Sequence, residues 1–328
     1  MTTITEIAKA LGITPSTVSR ALSGSPRVKE ETRRAVQQKA AELGYEPNVV
    51  ASNLRRGRSD IVGIIVPRIN REFFSNLIGG AEDVLNEAGY QVLIHQTHEK
   101  LETEIMGFQN ARKYRVAGVL LSHAIEARDS SHVLRELGGI PLVQFDRVFS
   151  DLPGAKVVGN NFEGAYAATR HLIEQGFCRI GTLAGYMSSE AYQQRLEGYR
   201  KALLDSGLQP DPEIEFLDTI VRETGYQAGL KAIDSGCDAL YSAGDFSALG
   251  ATDALKERGV QRFGIVGTAD EYFTSLMRPS LSSLAQNPYE MGRQAAQLFL
   301  SGSSDTTVVV PMELRIRESS NPNTIWQK

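Results

Sequence analysis

The stretch from Thr14 to Arg20 combines side chains that are suited to contacting nucleic acid. Four of its seven residues carry hydroxyl groups, and the stretch ends in an arginine. Hydroxyl and arginine side chains commonly contact DNA phosphates, and arginine also reads base edges. A short helix with these groups can enter a major groove with its first turn against the bases. The pattern favours a DNA-reading helix, although a small helical bundle with no DNA role also fits it.

The charge distribution points in the same direction. The first sixty residues carry ten basic and six acidic side chains, a net charge of +4. The whole chain has a formal charge of −4, so the residues after position 60 carry −8. A basic head on an acidic body suits binding of a polyanion through the head alone.

Three helices are predicted in this head. Thr3 and Glu6 form a capping box for the first helix, and Gly12 ends it. The second helix has Thr14 as its N-cap and Pro15 at its first helical position. The third spans about Glu30 to Leu43. Apolar residues at helical spacing form the inner faces: Ile4, Ile7, Ala8 and Leu11; Val18, Ala21 and Leu22; Ala35, Val36, Ala40 and Leu43.

From Ile61 onward, short apolar runs alternate with amphipathic helices. Ile61–Pro67 is a continuous apolar run, which is typical of a buried parallel strand. Further strands are predicted at Gln91–His95, Gly118–Ser122, Pro141–Asp146, Arg179–Leu183, near Glu215, and at Ala239–Ser242, Arg262–Val266 and Thr307–Arg317. Two such series without a long linker predict two α/β lobes that face a cleft.

The cysteines and the apolar runs indicate the compartment. Cys178 and Cys237 have neither metal-site spacing nor a disulfide framework, which fits a reducing environment. The N-terminal residues lack the pattern of a signal peptide. No apolar run approaches the ~18 residues that a membrane span needs. The sequence therefore predicts a cytoplasmic protein.

Several motifs occur together along the chain. The head contains TVSRAL, an SPRV turn, ELGY followed by Pro47 and Asn48, and an A-x-x-L-R segment. Their order and spacing resemble those of the lactose-repressor (LacI/GalR) family. The body pieces EGAYAATRHLIEQG, RLEGYRKAL, SALGATDAL and NPYEMGRQAAQLFL resemble the sensing domain of the same family. The resemblance therefore covers essentially the whole chain.

The resemblance implies an all-α helix-turn-helix head and an α/β body like a periplasmic binding protein, made of two doubly wound parallel-sheet lobes. The implied boundaries are 1–46 for the DNA-binding head, 47–60 for a hinge helix or linker, and 61–328 for the effector-binding body. The N-lobe would comprise about 61–158 plus 288–316, and the C-lobe about 159–287 plus 317–328.

In regulators of this family, residues of the second helix contact DNA. The positions that read bases correspond to Pro15, Ser16 and Arg20 of this chain. The positions that contact phosphates or orient the helix correspond to Thr14, Thr17 and Ser19. Arg20 is suited to bidentate pairing with a guanine. Pro15 has no polar side chain, so its contribution would be apolar contact or shape.

The segment Asn48–Arg56 resembles the hinge helix of the family. It is too short to be a stable helix alone in water, but it could fold when paired with its copy from a second subunit on DNA. Leu54 would then be the apolar wedge in the minor groove. The DNA-contacting hinge positions would be Asn48, Ala51, Leu54 and Arg55, with Arg56 and Arg58 near phosphates. From the residues alone, a flexible basic linker fits as well.

Ligands of open α/β folds bind beyond the carboxyl ends of the strands. The ligand positions of the family in that region correspond to Phe73, Phe74, Asp146, Arg147, Arg195, Asp245, Asp270 and Gln286. Aromatic faces with charged and amide groups suit a polyhydroxyl ligand. Taken without the resemblance, either phenylalanine also fits the core, and Asp146–Arg147 also fits a surface pair.

Two departures from the family pattern bear on the ligand. Gly244 stands where an Asn is usual before Asp245, and Gly267-Thr268-Ala269-Asp270 stands where the family has Gly-Phe-Asp. The ligand-binding carboxylate is therefore either absent at Ala269 or moved to Asp270. We expect an effector that is larger than a common monosaccharide or different from it.

Other functional classes fit less well. There is no nucleotide-binding or nucleophile-elbow motif, and the five histidines lack metal-ligand spacing, so neither an enzyme nor a cofactor or metal site is expected. His95 and His98 form only a weak pair. A transport protein needs export and has no DNA-binding head, and an architectural DNA-binding protein leaves the cleft unexplained.

The sequence thus predicts a ligand-responsive DNA-binding regulator. The specific expectation is a repressor of carbohydrate-utilisation genes, acting at the bacterial nucleoid and binding a palindromic operator as a homodimer or tetramer. The alternative is a regulator of the same type that responds to a purine or another non-sugar metabolite.

Overall fold

The computed structural model describes residues 2–45 and 59–326. The chain separates into two units, Met1–Ser59 and Asp60–Lys328. The predicted hinge positions Asn48, Ala51, Leu54 and Arg55, like Arg56 and Arg58, lie outside the described residues.

Three short helices form the head: α1 (Ile4–Leu11), α2 (Pro15–Leu22) and α3 (Glu30–Glu42). The predicted capping box is confirmed at α1. The Glu6 amide donates to the Thr3 hydroxyl at 3.3 Å, and the Thr3 amide donates to the Glu6 carboxylate at 2.8 Å. The start of α1 is thereby fixed by two reciprocal hydrogen bonds.

The turn between α1 and α2 also follows the prediction. Gly12 ends α1 in the left-handed conformation, with φ of +64°. Thr14 caps α2 by accepting a hydrogen bond from the Thr17 amide at 3.3 Å, and Pro15 occupies the first helical position. This tight turn sets α1 and α2 as a helix-turn-helix pair.

The inner faces of the three helices meet in one small apolar core, whose buried members are Ile7, Ala8, Val18, Ala21, Val36 and Ala40. The prediction for α3 is corrected at two positions, because Ala35 and Leu43 are exposed. Ala35 lies about 100° around the helix from Val36, and Leu43 follows the last helical turn.

The first lobe of the body contains one six-stranded parallel sheet. Its strands are β1 (Ile61–Val66), β2 (Gln91–Gln96), β3 (Gly118–Leu121), β4 (Leu142–Phe145), β5 (Ala155–Gly159) and β11 (Thr307–Val310). The order across the sheet is β2-β1-β3-β4-β5-β11. Its helices are α4 (Glu72–Glu87), α5 (Leu101–Lys113), α6 (Ser131–Glu136) and α12 (Pro288–Ser301).

The second lobe repeats this arrangement. Its strands are β6 (Ile180–Leu183), β7 (Glu215–Phe216), β8 (Ala239–Ser242), β9 (Gly264–Ala269), β10 (Ser282–Ala285) and β12 (Glu313–Arg315). The order is β7-β6-β8-β9-β10-β12, and β12 is antiparallel to β10. Its helices are α7 (Asn161–Glu174), α8 (Glu190–Asp205), α9 (Arg222–Asp234), α10 (Asp245–Arg258) and α11 (Phe273–Leu276).

The single last strand predicted over Thr307–Arg317 is two strands in the structure. β11 pairs with β5 in the first sheet, and β12 pairs with β10 in the second. Pro311 lies between them and has no amide hydrogen to continue a ladder. The chain therefore crosses between the lobes before Glu313, a few residues earlier than the expected boundary at 316.

Both sheets place the carboxyl ends of their strands toward the gap between the lobes. In each sheet the strand order reverses beside the first strand, between β1 and β3 and between β6 and β8. Ligands of open α/β sheets bind at such switch points. The topology therefore directs the loops after β1, β4, β8 and β9 to one cleft.

A close helix contact in the first lobe gives a stability prediction with an internal control. A Cβ atom at Gly80 of α4 would lie 2.0 Å from the Tyr289 carbonyl oxygen of α12, whereas nothing lies within 4 Å of one at Gly79. We expect Gly80→Ala to lower the free energy of unfolding by about 1–3 kcal/mol, because the two helices must separate. Gly79→Ala should raise it by up to about 1 kcal/mol through helix propensity. Urea unfolding followed by circular dichroism checks this, and equal effects of the two substitutions would contradict it.

Candidate ligand cavity and nucleic-acid interface

A cavity of about 770 Å³, including space open to solvent, lies between the two lobes. The structure brings seven of the eight predicted effector residues to its wall: Phe73, Phe74, Asp146, Arg147, Arg195, Asp245 and Gln286. They come from loops and helix starts that follow strands in both sheets, as the topology requires.

Asp270 is the exception among the predicted residues. Its carboxylate forms an ion pair with Arg317 at 2.7 Å and accepts a hydrogen bond from the Thr274 hydroxyl at 3.1 Å. It does not line the cavity between the lobes; Glu271, the next residue, does. The backbone has positive φ at Ala269 and Asp270. In this loop the carboxylate that lines the cavity is therefore that of Glu271, and not that of Asp270.

Arg147 is held by a carboxylate that the sequence analysis did not identify. Its guanidinium donates two hydrogen bonds to Glu99, at 2.8 and 3.0 Å, and a third to the His123 carbonyl at 3.3 Å. Arg147 and Glu99 are only 6% and 9% exposed. Burial opposes ionisation of Glu99, but Arg147 outweighs it and holds the pKa of Glu99 below its ordinary value. The pair therefore forms a fixed, charged part of the cavity wall.

Phe73 and Phe74 combine the two roles that the sequence left open. Both are buried and belong to the hydrophobic core of the first lobe, and both also line the cavity. Their rings meet edge to face, with centroids 5.0 Å apart. Because each ring is held by core packing, the pair offers a rigid apolar wall to a ligand.

Arg195 of α8 is fixed by neutral acceptors. It donates to the Asn161 side-chain oxygen and to the Ala243 carbonyl, both at 2.8 Å. The guanidinium carbon lies 5.4 Å from the centroid of the Tyr192 ring. These contacts orient the side chain toward the cavity, and neither acceptor carries a charge.

Asp245 begins α10 and is almost fully buried. It accepts hydrogen bonds from the Ser283 hydroxyl at 2.7 Å and from the Glu271 amide at 2.9 Å. Burial raises the pKa of Asp245 to about 7, and these two hydrogen bonds only partly oppose it. The carboxyl group ties the loop after β9 to β10, so it positions the cavity wall that carries Glu271.

Asp146 follows β4 in a left-handed conformation, with φ of +59°. Its carboxylate accepts a hydrogen bond from the Ser122 hydroxyl at 3.3 Å, and burial raises its pKa. Glu99 also has positive φ, +66°. A non-glycine residue in this conformation costs free energy and is often found at functional sites.

Further cavity residues were missed at the sequence level: Arg68, Arg71, Glu99, Tyr192, Phe246 and Glu271. Arg71 precedes α4, and its guanidinium carbon lies 3.3 Å from the centroid of the Phe246 ring on α10. The only available signal was that Arg68 and Arg71 follow a predicted buried strand. Nothing in the sequence pairs Arg71 with a ring 175 positions later.

The head presents an exposed polar surface along the start of α2. The Thr14 hydroxyl lies 2.9 Å from those of both Ser16 and Thr17. Thr14, Pro15, Ser16 and Arg20 are exposed, whereas Thr17 and Ser19 are half-buried. Arg20 makes no side-chain hydrogen bond or ion pair within residues 2–45 or 59–326. The group suited to pairing with a base is therefore available.

The described part of the chain offers neither a metal site nor a membrane-spanning helix. Residues 2–45 and 59–326 hold no group of three or more His, Cys, Asp and Glu side chains arranged to bind a metal ion. No helix in those same ranges is long and apolar enough to span a bilayer.

Comparison with known families matches the two parts of the chain separately. Residues 3–48 match "Bacterial regulatory proteins, lacI family", and residues 169–320 match the "Periplasmic binding protein-like domain". The chain is 28% identical to the HTH-type transcriptional regulator DegA of Bacillus subtilis, over 98% of each chain.

Solved structures share the full architecture. The transcriptional regulator CelR in complex with cellobiose has a TM-score of 0.73 and 28% identity, with 97% of this chain and 100% of that chain covered. The Lac repressor dimer bound to operator and the anti-inducer ONPF has a TM-score of 0.84 and 23% identity, with 97% and 99% covered. The helix-turn-helix head, the two-lobed body and these similarities lead to one conclusion: the chain belongs to the lacI family of bacterial regulatory proteins and is a DNA-binding transcription regulator.

Proposed function

We propose that this regulator represses carbohydrate-utilisation genes, and that a sugar or sugar derivative bound between its lobes controls its binding to DNA. The observation that carries the proposal is the composition of the cavity wall. Arg147 and Phe74 come from the first lobe, and Arg195 and Asp245 from the second. A ligand that touches both sets favours one lobe arrangement over another, and differential affinity is what shifts a conformational equilibrium.

The chemistry of the wall favours a polyhydroxyl ligand over a flat apolar one. Buried charged groups can bind hydroxyls in pairs, and Phe73, Phe74 and Tyr192 supply apolar faces. The relative CelR, which shares this architecture, was solved in complex with cellobiose. This combination supports a sugar more strongly than a purine base.

Operator recognition is proposed to need two heads. One helix-turn-helix reads only a few base pairs, so useful specificity requires two related half-sites bound by a dimer. The structure of the Lac repressor, which this fold resembles, contains a dimer on its operator. We propose that the linker, about residues 47–60, joins the head (1–46) to the body (61–328), and that Leu54 enters the minor groove when two copies meet on DNA.

A calorimetric screen followed by an operator-binding assay tests the proposal. Purified protein is titrated with neutral sugars, sugar acids, sugar phosphates and purine bases, and each ligand that binds is then added to a fluorescent operator duplex. We expect at least one sugar or sugar derivative to bind and to change operator affinity. Binding of purine bases alone would replace the sugar assignment, and sugar binding with unchanged operator affinity would refute the regulatory role.

Arg20 gives a prediction for the head. We expect Arg20→Ala to lower the preference for operator over a single-base-pair variant by about 1–3 kcal/mol, because a bidentate contact to guanine is lost. Arg56→Ala should weaken binding to all DNA sequences alike and should reduce the salt dependence of DNA affinity, because it removes only a phosphate contact. Fluorescence anisotropy on operator and random DNA checks both substitutions. Equal losses on the two DNAs for Arg20→Ala would contradict base readout.

A further inference from the structure

Four arginines and four acidic residues line the cavity, so its formal charge is balanced: Arg68, Arg71, Arg147 and Arg195 against Glu99, Asp146, Asp245 and Glu271. Formal balance does not mean local pairing. Of these four arginines, only Arg147 makes a bidentate contact with a carboxylate of the described residues. The positions of the other three arginines therefore decide what the cavity attracts.

Arg71 is the most poorly compensated of the three. Its guanidinium forms no hydrogen bond or ion pair within residues 2–45 and 59–326, and it lies over the face of the Phe246 ring. Stacking uses the flat face of a guanidinium and leaves its in-plane N–H donors free. Burial lowers the pKa of Arg71, and the charge of Glu271 only partly offsets it. A half-buried charge without a hydrogen-bonded carboxylate is costly, and an anion would relieve the cost.

Arg68 and Arg195 add to the same imbalance. The nearest carboxylate to Arg68 is Glu99, at 3.9 Å, and Glu99 already accepts two hydrogen bonds from Arg147. Arg195 is held by two neutral oxygen atoms. Three guanidinium groups therefore line one cavity without a carboxylate of their own in hydrogen-bond contact.

The acidic groups of the wall are engaged elsewhere. Both oxygens of Asp245 accept hydrogen bonds from the protein, and Glu271 accepts one from the Glu72 amide at 3.2 Å. Burial also raises the pKa of Asp146, Asp245 and Glu271, that of Asp245 to about 7, so Asp245 carries only part of its negative charge near neutral pH. The field inside the cavity is therefore more positive than the residue count suggests.

We infer that the effector carries an anionic group, a carboxylate or a phosphate on a sugar, and that Arg71 binds this group. The inference rests on the proposed function and narrows it to a ligand class.

Matched ligands test the inference by calorimetry. Neutral hexoses and disaccharides are compared with their own uronate, aldonate and phosphate counterparts, with wild-type protein and Arg71→Gln. We expect at least one anionic sugar to bind more tightly than its neutral counterpart. Arg71→Gln should weaken the binding of that anionic sugar about 10- to 100-fold and should change the affinity for neutral sugars less than about twofold. Whether the uronate, aldonate or phosphate member binds identifies the source of the charge.

Two more variants separate a binding role from a structural one. Arg71→Lys keeps the charge and should restore part of the affinity for the anion. Arg222→Gln removes an arginine of α9 that is 57% exposed and paired with Asp253, and it should leave all affinities unchanged.

The outcomes separate this inference from the proposed function. If neutral sugars bind best, or if Arg71→Gln weakens neutral and anionic sugars equally, the anionic effector is refuted while sugar sensing stands. If anionic sugars bind through Arg71 without changing operator affinity, the inference stands and the regulatory role fails. If no sugar of either kind binds, both are overturned.

Discussion

Replacing Arg147 with methionine is expected to lower the free energy of unfolding by about 3–5 kcal/mol. The substitution leaves Glu99, which is only 9% exposed, without its bidentate partner. Arg68 at 3.9 Å and the Ile125 amide at 3.0 Å are the remaining compensation. An uncompensated buried carboxylate is costly, so the loss should far exceed that of the side-chain contacts alone. Chemical unfolding at neutral pH measures it.

The pH dependence identifies charge as the cause. In the wild type, Arg147 holds the pKa of Glu99 below its ordinary value of 4.5, so the pair stabilises the fold above that pH. This stability is lost as the pH falls through the folded-state pKa. In Arg147→Met, burial should instead raise the pKa of Glu99, and acidification then protonates the unpaired group. The difference between the two proteins should therefore shrink between pH 7 and pH 4.

Two controls make this prediction sharp. Arg222→Met breaks an exposed pair with Asp253 and should cost no more than about 1 kcal/mol. The double variant Glu99→Gln/Arg147→Met removes both buried charges and should recover much of the stability lost by Arg147→Met. A pH-independent loss, or a double variant as unstable as the single one, would show that packing and not charge holds the site.

Coupling between effector and operator is the second large effect that we expect. If cavity closure changes how two heads are spaced, the effector must bind the DNA-free and DNA-bound forms with different affinity. Linkage then requires the operator to shift effector affinity by the same factor, typically about 5- to 150-fold. Effector titrations with and without a saturating operator duplex measure the factor. Identical dissociation constants for every ligand that enters the cavity would refute a sensor role for the body.

Variants at the DNA end and at the ligand end of this coupling should have different effects on operator binding and effector binding. Leu54→Ala should reduce operator affinity and leave effector binding to the free protein intact. Arg195→Ala should abolish the effector response while operator binding persists. Because Arg195 also donates hydrogen bonds to Asn161 and Ala243, thermal unfolding of the Arg195→Ala protein is measured as well. Loss of effector binding in Leu54→Ala, or loss of operator binding in a folded Arg195→Ala, would contradict this assignment.

The sequence by itself determined most of the elements and the class of protein. Capping signals at Thr3, Gly12 and Thr14 are local, because each cap depends on residues within four positions, and all three are confirmed. The parallel strands were readable because a strand buried on both faces leaves an unbroken apolar run, as at Ile61–Val66. The motifs in the head and body indicated the family, and seven of the eight effector positions predicted from it line the cavity.

Only the tertiary structure decided which side chains that lie far apart in the sequence contact each other. The sequence does not show that Glu99 neutralises Arg147, that Arg71 stacks on Phe246, or that Asp270 pairs with Arg317. Periodicity reports which face of an element is apolar, but it does not report which side chains from different elements meet. Charge pairing in the cavity depends on that meeting, because the strength of an ion pair falls with distance and rises with burial. The sequence therefore located the cavity, and the fold decided which of its arginines are left for a ligand.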